Sequence, residues 1–335
     1  MRMRFGVLGA ARIARNSFVP GVRGSSQAQL HAVASRDLDR ARAFASELEI
    51  PRAYGSYAEL LGDPDVDAVY IALPNSLHVE WTIAAARAGK HVLCEKPLAS
   101  IASEAERART ACAAAGVLLM EGFMWRHHIQ HRRVWELIDG GAIGEPSFVR
   151  ASFSFRVSRP RAGAAPNVRL QSVLQGGSLM DVGCYGVNAA RWLFGSEPTE
   201  VVGQQIVDDE YGVDLSFGAV LRFDGNRQAV VDSSLTRAAS NTYTVEGPEG
   251  SLRVERAFRP DTNPGRITLH RPNQEPELEL EEIPADDQFT REVDHFIESV
   301  GAGSLLSPAE DGANQAKVIE RLKQSAETGR SVSLS

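Results

Sequence analysis

Glu95-Lys96-Pro97 sets an ammonium between a carboxylate and a residue whose ring fixes φ, directly after the short apolar run His91 to Cys94. An isolated lysine is ordinarily a solvated surface charge. One pinned at the carboxyl end of a strand faces the crevice where open parallel sheets take up ligands. Near the start of the chain, the apolar run Met3 to Leu8 passes through Gly9-Ala10-Ala11-Arg12-Ile13-Ala14 into a helical pattern. Such a strand-to-helix turn suits a pyrophosphate, because a glycine lets the backbone approach it and the helix N-terminus offers free N–H groups. Of the three glycines in G-x-G-x-x-G only Gly9 is present, with Ala11 and Ala14 in the other places. The motif therefore draws its meaning from its position in the first βα unit. Gly9, Ala10, Ala11, Arg12 and Ile13 are the expected phosphate-side contacts.

The end of the second strand distinguishes NAD from NADP. An acidic side chain there binds the ribose 2′-hydroxyl, whereas arginine suits a 2′-phosphate. The segment reads Ala34-Ser35-Arg36-Asp37. Ser35 can donate a hydrogen bond and Arg36 can grip a phosphate through its planar fork, so NADP is expected, with NAD as the alternative. Asp37 fits two roles, the cap of the following helix or the ribose acid. Leu73, Pro74 and Asn75 follow a third apolar run and are expected beside the nicotinamide, with His78 at the start of the next helix and Glu95 beside Lys96. Trp125, Arg126 and His128 follow the last strand of this region and are expected to touch cofactor or substrate.

These residues need a scaffold. Strand patterns at Met3–Leu8, Leu30–Ala34, Asp67–Leu73, His91–Cys94 and Val117–Met120 alternate with helix patterns, notably Leu38–Leu48, Leu77–Ala88 and Ser103–Ala115, with Gly89 and Gly116 as helix stops. That alternation specifies parallel βαβ units and a doubly wound α/β sheet over residues 1–123. From 124 to 335 the pattern changes to long strands: Ser147–Val157, Val201–Val207, Leu215–Phe223, Gln228–Leu235, Thr242–Glu246 and Ser251–Val254. Helices are expected at Leu179–Phe194, Asp287–Val300 and Pro308–Thr328. The second domain is thus expected to be α+β with a large, mostly antiparallel open sheet.

The 335 residues carry 36 Lys and Arg against 43 Asp and Glu, a net charge of −7 that does not favour nucleic acid. The one basic cluster, Arg126, His127, His128, His131, Arg132 and Arg133, reads as part of a site or a solvated helix face. Three widely spaced cysteines, Cys94, Cys112 and Cys184, form no CxxC pair and read as buried thiols. No metal is expected, since the histidines lack a helical partnership beyond His127 with His131. No apolar stretch reaches the roughly 18–20 residues that cross a bilayer. Met1–Arg4 runs directly into a strand, so no signal peptide is expected and the location is expected to be cytoplasmic.

Taken together, Gly9 and its turn, Ala88-Gly89-Lys90-His91-Val92-Leu93-Cys94-Glu95-Lys96-Pro97-Leu98-Ala99, Met120-Glu121-Gly122-Phe123-Met124-Trp125-Arg126 with His128 and Gln130, and Gly176 through Asn188 resemble the glucose–fructose oxidoreductase and inositol dehydrogenase (Gfo/Idh/MocA) family. The resemblance runs along essentially the whole chain. It implies an enzyme, an NAD(P)-dependent oxidoreductase acting on CH–OH groups of sugars, in which Lys96 and Tyr185 flank the reacting carbon. Many relatives have Asp-x-Gly-x-His-x-x-Asp where this chain has Asp181-Val182-Gly183-Cys184-Tyr185-Gly186-Val187-Asn188. Tyr at that place points to the branch of NADP-dependent D-xylose dehydrogenases, dimeric dihydrodiol dehydrogenases and sugar-nucleotide 3-ketoreductases, and away from inositol dehydrogenase. On this reading Tyr185 is the acid/base, Lys96 its electrostatic partner, and Asp181 orients a sugar hydroxyl. Lys96, Arg126, His128, Asp181 and Tyr185 would contact substrate. The expected reaction is hydride transfer from C1 of an aldose such as D-xylose to NADP, with 3-ketoreduction or dihydrodiol oxidation as alternatives. A cofactor-sensing regulator without turnover is the non-enzymatic alternative. A homodimer or homotetramer through the open sheet is expected, since an exposed apolar sheet face invites association.

Overall fold

The computed structural model describes residues 2–158, 167–272, 277–306 and 312–334. The chain forms two compact units, Met1–His127 with Asp287–Ala313, and His128–Asp286 with Asn314–Ser335.

In the first unit six strands, β1 (Met3–Leu8), β2 (Ala28–Ala34), β3 (Arg52–Tyr54), β4 (Ala68–Ile71), β5 (His91–Glu95) and β6 (Leu119–Gly122), form one sheet in the order β3-β2-β1-β4-β5-β6. Every pairing is parallel. Order reverses between β1 and β4, and at that switch point the carboxyl ends of neighbouring strands splay to leave a ligand crevice. The central strands read as apolar runs because helices cover both faces: Val7, Leu8, Val33, Val69, Tyr70 and Leu93 are fully buried. Phe18 stacks on Tyr70 at 3.7 Å between ring centroids, and Phe5 meets Phe296 at 5.8 Å. Phe296 belongs to the Gln288–Ala302 helix, which places Phe289, Val293 and Phe296 on its buried side. This late segment therefore completes the core of a sheet laid down in the first third of the chain.

The amino ends of these strands are held by charge. Asp63 is buried and accepts from Arg52 (3.0 Å) and the Tyr54 hydroxyl (2.8 Å), while Arg4 joins Asp65 to Asp67. His31, Asp63 and Asp65 lie close enough to suggest a metal site, but Arg4, Arg52 and Tyr54 already take up these carboxylates. Burial alone would raise the Asp63 carboxyl; the Asp65 backbone N–H, the Tyr54 hydroxyl and the Arg52 guanidinium outweigh it and hold it at about 2, against an ordinary 3.8. A carboxyl with a depressed folded value stabilises the fold above its unfolded value and loses that contribution as pH falls through the folded one. Asp63→Asn is therefore expected to cost about 1–3 kcal/mol at neutral pH. Urea titrations should show the deficit shrinking between pH 4 and pH 2; a deficit independent of pH would show that charge is not what Asp63 contributes.

The second unit contains β7 (Phe148–Ser154), β8 (Glu200–Val207), β9 (Asp214–Phe223), β10 (Arg227–Ser234), β11 (Ser240–Gly247), β12 (Gly250–Glu255), β13 (Gly265–His270), β14 (Leu278–Ile283) and β15 (Val332–Ser333), in the order β14-β13-β12-β11-β7-β10-β9-β8-β15. All neighbours are antiparallel except β7 with β10. One face, carrying Val149, Ala151, Leu221, Val231, Tyr243 and Val245, is buried. Alternate residues of β8 on the other face, Val202 and Ile206, are exposed.

The expected strands and helices are present, most with ends shifted by a residue or two; β6 begins two residues later than its pattern suggested, and β7 ends at Ser154, three residues before the expected Val157. The last helix is described from Gly312, so the Pro308 end of that expectation lies outside the described residues. The three cysteines are buried and unpaired with one another. The basic cluster is corrected: it is neither one site nor one solvated face. Helix Ile129–Asp139 disperses it, burying His131 against the Tyr243 hydroxyl (2.8 Å) and pairing Arg133 with Glu281. Burial holds His131 neutral, its pKa pushed down to about 3. Among the described residues no helix is long and apolar enough to cross a membrane.

Candidate active site

The turn after β1 is built for close approach. Gly9 has φ +106°, and a Cβ there would lie 2.8 Å from the Ala72 carbonyl oxygen at the end of β4. Any larger residue would push apart the two strands that form the switch point. Gly9 N donates to Ala34 O, Ala11 N to Gly9 O, and the helix starts at Arg12. Ala10, Ala11 and Ile13 are half-buried around this turn, and Arg12 is exposed. The first helical N–H groups thus face the space above the turn, where the chemistry of a pyrophosphate fits.

At the end of β2, Ser35 is buried and Arg36 is exposed. Asp37 accepts from Asp39 N (2.9 Å) and Arg40 N (3.2 Å), so its carboxylate caps the next helix. One of its two readings is thereby occupied. Sequence reasoning missed Arg40, which reaches across to the Ala10 carbonyl at 2.9 Å and joins this end of β2 to the phosphate turn. It lies in the first turn of the helix Leu38–Glu47, and its reach to Ala10 is a contact 30 residues back that no local pattern marks. Burial raises the pKa of the neighbouring Tyr57 hydroxyl, while Arg36 and Arg40 pull it the other way.

Lys96 is half-buried in a segment fixed on three sides. Glu95 accepts from the Tyr70 hydroxyl. The fully buried His78 ring lies between Pro97 O (2.8 Å) and Leu73 O (2.9 Å). Glu121 accepts from Leu98 N at 2.7 Å. His78, read as a cofactor contact, has no exposed surface to offer; that expectation is corrected to a tie between the segments after β4 and β5. Burial pushes its pKa down, the two carbonyls push back, and the Lys96 charge adds to the lowering. Leu73, Pro74 and Asn75 stand half-buried at the end of β4 beside this tie. Replacing His78 with Leu strips one of these buried carbonyls of the ring N–H that donates to it, an expected loss of about 1–3 kcal/mol. Thermal melts check this, and His78→Gln should recover part of it by restoring a donor.

Met124–His127 form a short turn against the Gln288–Ala302 helix. Trp125 is fully buried and Arg126 nearly so, with 8% of its surface exposed. Trp125 therefore shows no exposed surface to a ligand, contrary to its expected contact.

In the second unit, Leu179–Gly183 is a π-helical turn that runs into the helix Cys184–Phe194. Such widened turns recur at functional sites because they re-aim side chains. Asp181 sits in this turn, one turn before Tyr185 and so close to the same face. The Tyr185 ring is buried, edge-on to Phe153 at 5.3 Å and tilted to Phe258 at 5.5 Å. The start of the turn is anchored by Asp214, which accepts from Ser178 Oγ and Leu179 N at 2.7 Å each. Gly177 has φ +108°, and a Cβ there would lie 2.0 Å from the Asp214 carboxylate. Asp214 was not recognised from sequence, since nothing near it in the chain marks a contact 35 residues back. His128, also expected to contact substrate, is fully buried and caps the helix Ile129–Asp139 through Gln130 N; that contact is corrected to a cap.

Residues 3–123 match a family model described as an oxidoreductase family with an NAD-binding Rossmann fold, and residues 131–253 match the GFO/IDH/MocA C-terminal domain. The chain is 40% identical to D-xylose 1-dehydrogenase (NADP(+)) 2 of Haloferax volcanii over 334 residues, 99% of this chain and 100% of the relative. Among solved structures it is similar to a 3-ketoreductase from Actinomadura kijaniata in complex with NADP and TDP-benzene (TM-score 0.88, 34% identity, 97% of this chain and 98% of that one). It is also similar to an aldose–aldose oxidoreductase from Caulobacter crescentus complexed with glycerol (TM-score 0.89, 29% identity, 99% and 100%).

Proposed function

The chain belongs to the Gfo/Idh/MocA family of oxidoreductases, and from that premise we propose that it is an NADP-dependent aldose 1-dehydrogenase acting on D-xylose or a similar pentose. The end-to-end match to an NADP-dependent D-xylose dehydrogenase carries this reading. The commitment of Asp37 to a helix cap, with Arg36 and Arg40 beside Ser35, supports NADP over NAD.

Gly9 to Ile13 would hold the pyrophosphate, Ser35, Arg36 and Arg40 the 2′-phosphate, and Leu73 to Asn75 the nicotinamide side. Bound there, NADP supplies the hydride acceptor. Tyr185 takes the proton from the C1 hydroxyl as the C1–H bond gives up its electron pair, and the sugar leaves as the lactone. An unperturbed tyrosine titrates near about 10, so it needs a neighbouring cation to serve as a base at neutral pH. The family resemblance gives that role to Lys96, which would favour the phenolate and polarise the substrate oxygen. Asp181 orients a second hydroxyl. Glu95 and His78 fix the segment that carries Lys96, and Arg126 lies at the end of the same sheet.

The outward apolar residues of β8, Val202 and Ile206, support assembly as a homodimer or homotetramer through the open sheet, which light scattering on the purified protein would test. The deciding experiment for activity follows nicotinamide reduction by absorbance with a panel of aldoses and a trans-dihydrodiol, each with NADP and NAD, and the reverse reaction with a 3-keto sugar nucleotide. Turnover of pentoses with NADP is expected. Turnover confined to the diol or the keto sugar would move the assignment within the family, and cofactor binding without any turnover would make the protein a sensor.

A further inference from the structure

The widened turn that carries Asp181 is not capped by its own sequence. Ser178, at its start, makes no side-chain cap; its hydroxyl turns instead to Asp214, the first residue of β9. The two bonds that Asp214 accepts, from Ser178 Oγ and Leu179 N at 2.7 Å each, end on the same oxygen, Oδ2. Its Oδ1 fills the place that a Gly177 Cβ would need. An anion thus stands at the N-terminus of the turn, where it suits the helix dipole, supplied by a strand 35 residues further on. Having given its proton to Asp214, Ser178 Oγ accepts from Ser233 Oγ of β10 at 3.1 Å. Ser178, Leu179, Asp214 and Ser233 are all buried. Burial pushes the Asp214 carboxyl up, and the Ser178 hydroxyl, the Leu179 N–H and the Lys323 charge hold it back.

The far end of the turn is fixed to the neighbouring strand. A Cβ on Gly183 would lie 2.8 Å from Ser233 Oγ, and one on Gly186 2.5 Å from Val231 Cγ1, so the helix Cys184–Phe194 lies directly on β10. Because β9 and β10 are paired, with Phe217 opposite Ser233, the two anchorages stand at a set spacing. A π turn holds one residue more than the α turn it replaces, and one residue is about 100° of helical rotation. With the helix docked on β10, release at β9 lets the turn tighten toward α geometry. Asp181 then swings off the face it shares with Tyr185. We propose that Asp214 is a positioning residue: from β9 it holds the π turn open and so keeps Asp181 aimed alongside Tyr185. The proposal rests on the reading that Asp181 and Tyr185 serve the substrate, and goes beyond it in naming the residue that aligns them.

The test is a double-variant cycle. Turnover of D-xylose and NADPH affinity are measured for Asp214→Ala, Asp181→Ala and the two combined, with Asp214→Asn as the conservative variant. Asp214→Ala is expected to lower kcat/KM about thirtyfold or more, the scale of a small misplacement at a reacting centre, with NADPH affinity by fluorescence titration unchanged. In the Asp181→Ala background the same substitution should cost about threefold or less, because the side chain it aims is gone. Asp214→Asn should recover most of the loss, since its amide oxygen can stand in for Oδ2 and accept both bonds. Losses that multiply in the double variant, or wild-type kcat/KM in Asp214→Ala, overturn the proposal. Ser178→Ala, which deletes one bond and keeps the other, carries the same cycle if Asp214→Ala does not fold. If the wild type turns over no aldose, the proposed function has failed, and the anchor is judged by amide hydrogen exchange. The amides of Leu179 to Tyr185 should then exchange about tenfold faster or more in Asp214→Ala, or in Ser178→Ala, with Asp214→Asn restoring their protection. Exchange equal to wild type in that segment overturns it.

Discussion

Replacing Tyr185 with Phe is expected to lower kcat by roughly 10²–10⁴-fold, the usual contribution of a positioned acid/base, while leaving NADP affinity and thermal stability near wild type. The substitution removes one oxygen and keeps the ring, whose packing against Phe153 and Phe258 supplies the local stability. Binding and chemistry are thereby separable: titrating NADPH fluorescence reads the first, and steady-state turnover the second. Lys96→Met should give a loss of similar size with a different signature. A lysine ammonium near the phenol favours the phenolate and so lowers the tyrosine pKa. The oxidation rate rises as that phenol deprotonates. Removing the ammonium moves the rise in the pH–rate profile toward about 10, and residual activity recovers at alkaline pH. Undiminished turnover in Tyr185→Phe would remove the phenol from the mechanism, and an unshifted profile in Lys96→Met would remove the electrostatic role of the lysine.

Why these two residues were visible in sequence, and others were not, follows from the range of the interactions that place them. Strand and helix periods are local, so β1, β2, β4 and β5 and the turn at Gly9 could be placed from a dozen residues each. The Gly9 requirement itself is tertiary, a close approach to Ala72, but it leaves a local mark because only glycine tolerates it. Asp37 was ambiguous for the opposite reason: a capping carboxylate and a ribose-binding carboxylate occupy the same position in sequence, and only its bonds to Asp39 N and Arg40 N separate them. The return of Gln288–Ala302 to the first sheet left no mark at all, because an amphipathic helix shows that it has an apolar face but not what covers it. Trp125, His78 and His128 drew attention as residue types suited to ligands. Their burial shows that the same types serve equally well as packing, ties and caps.

Arg36→Ala should lower kcat/KM for NADP about 10–100-fold and leave kcat/KM for NAD nearly unchanged, since a hydrogen bond to a charged group contributes about 1.5–3 kcal/mol. The 2′-phosphate is the only part of the dinucleotide that differs between the two, so an effect confined to NADP locates the arginine on it. Arg40 lies in the first turn of the helix capped by Asp37 and is bonded to Ala10 O, which predicts a smaller loss in Arg40→Ala. Because the two guanidinium groups would share one dianion, the double variant should lose less than the sum of the single losses. It should also reverse the preference toward NAD. Raising ionic strength should weaken NADP binding in the wild type more than in the double variant, because exposed charges are screened. Asp37→Ser is the control that distinguishes cap from ribose ligand. Serine caps a helix nearly as well as aspartate, so the variant should keep both its stability and its cofactor ratio. A selective loss with NAD would instead give Asp37 the ribose, and the protein would then be dual in cofactor by design of its own second strand rather than specific for the phosphorylated form.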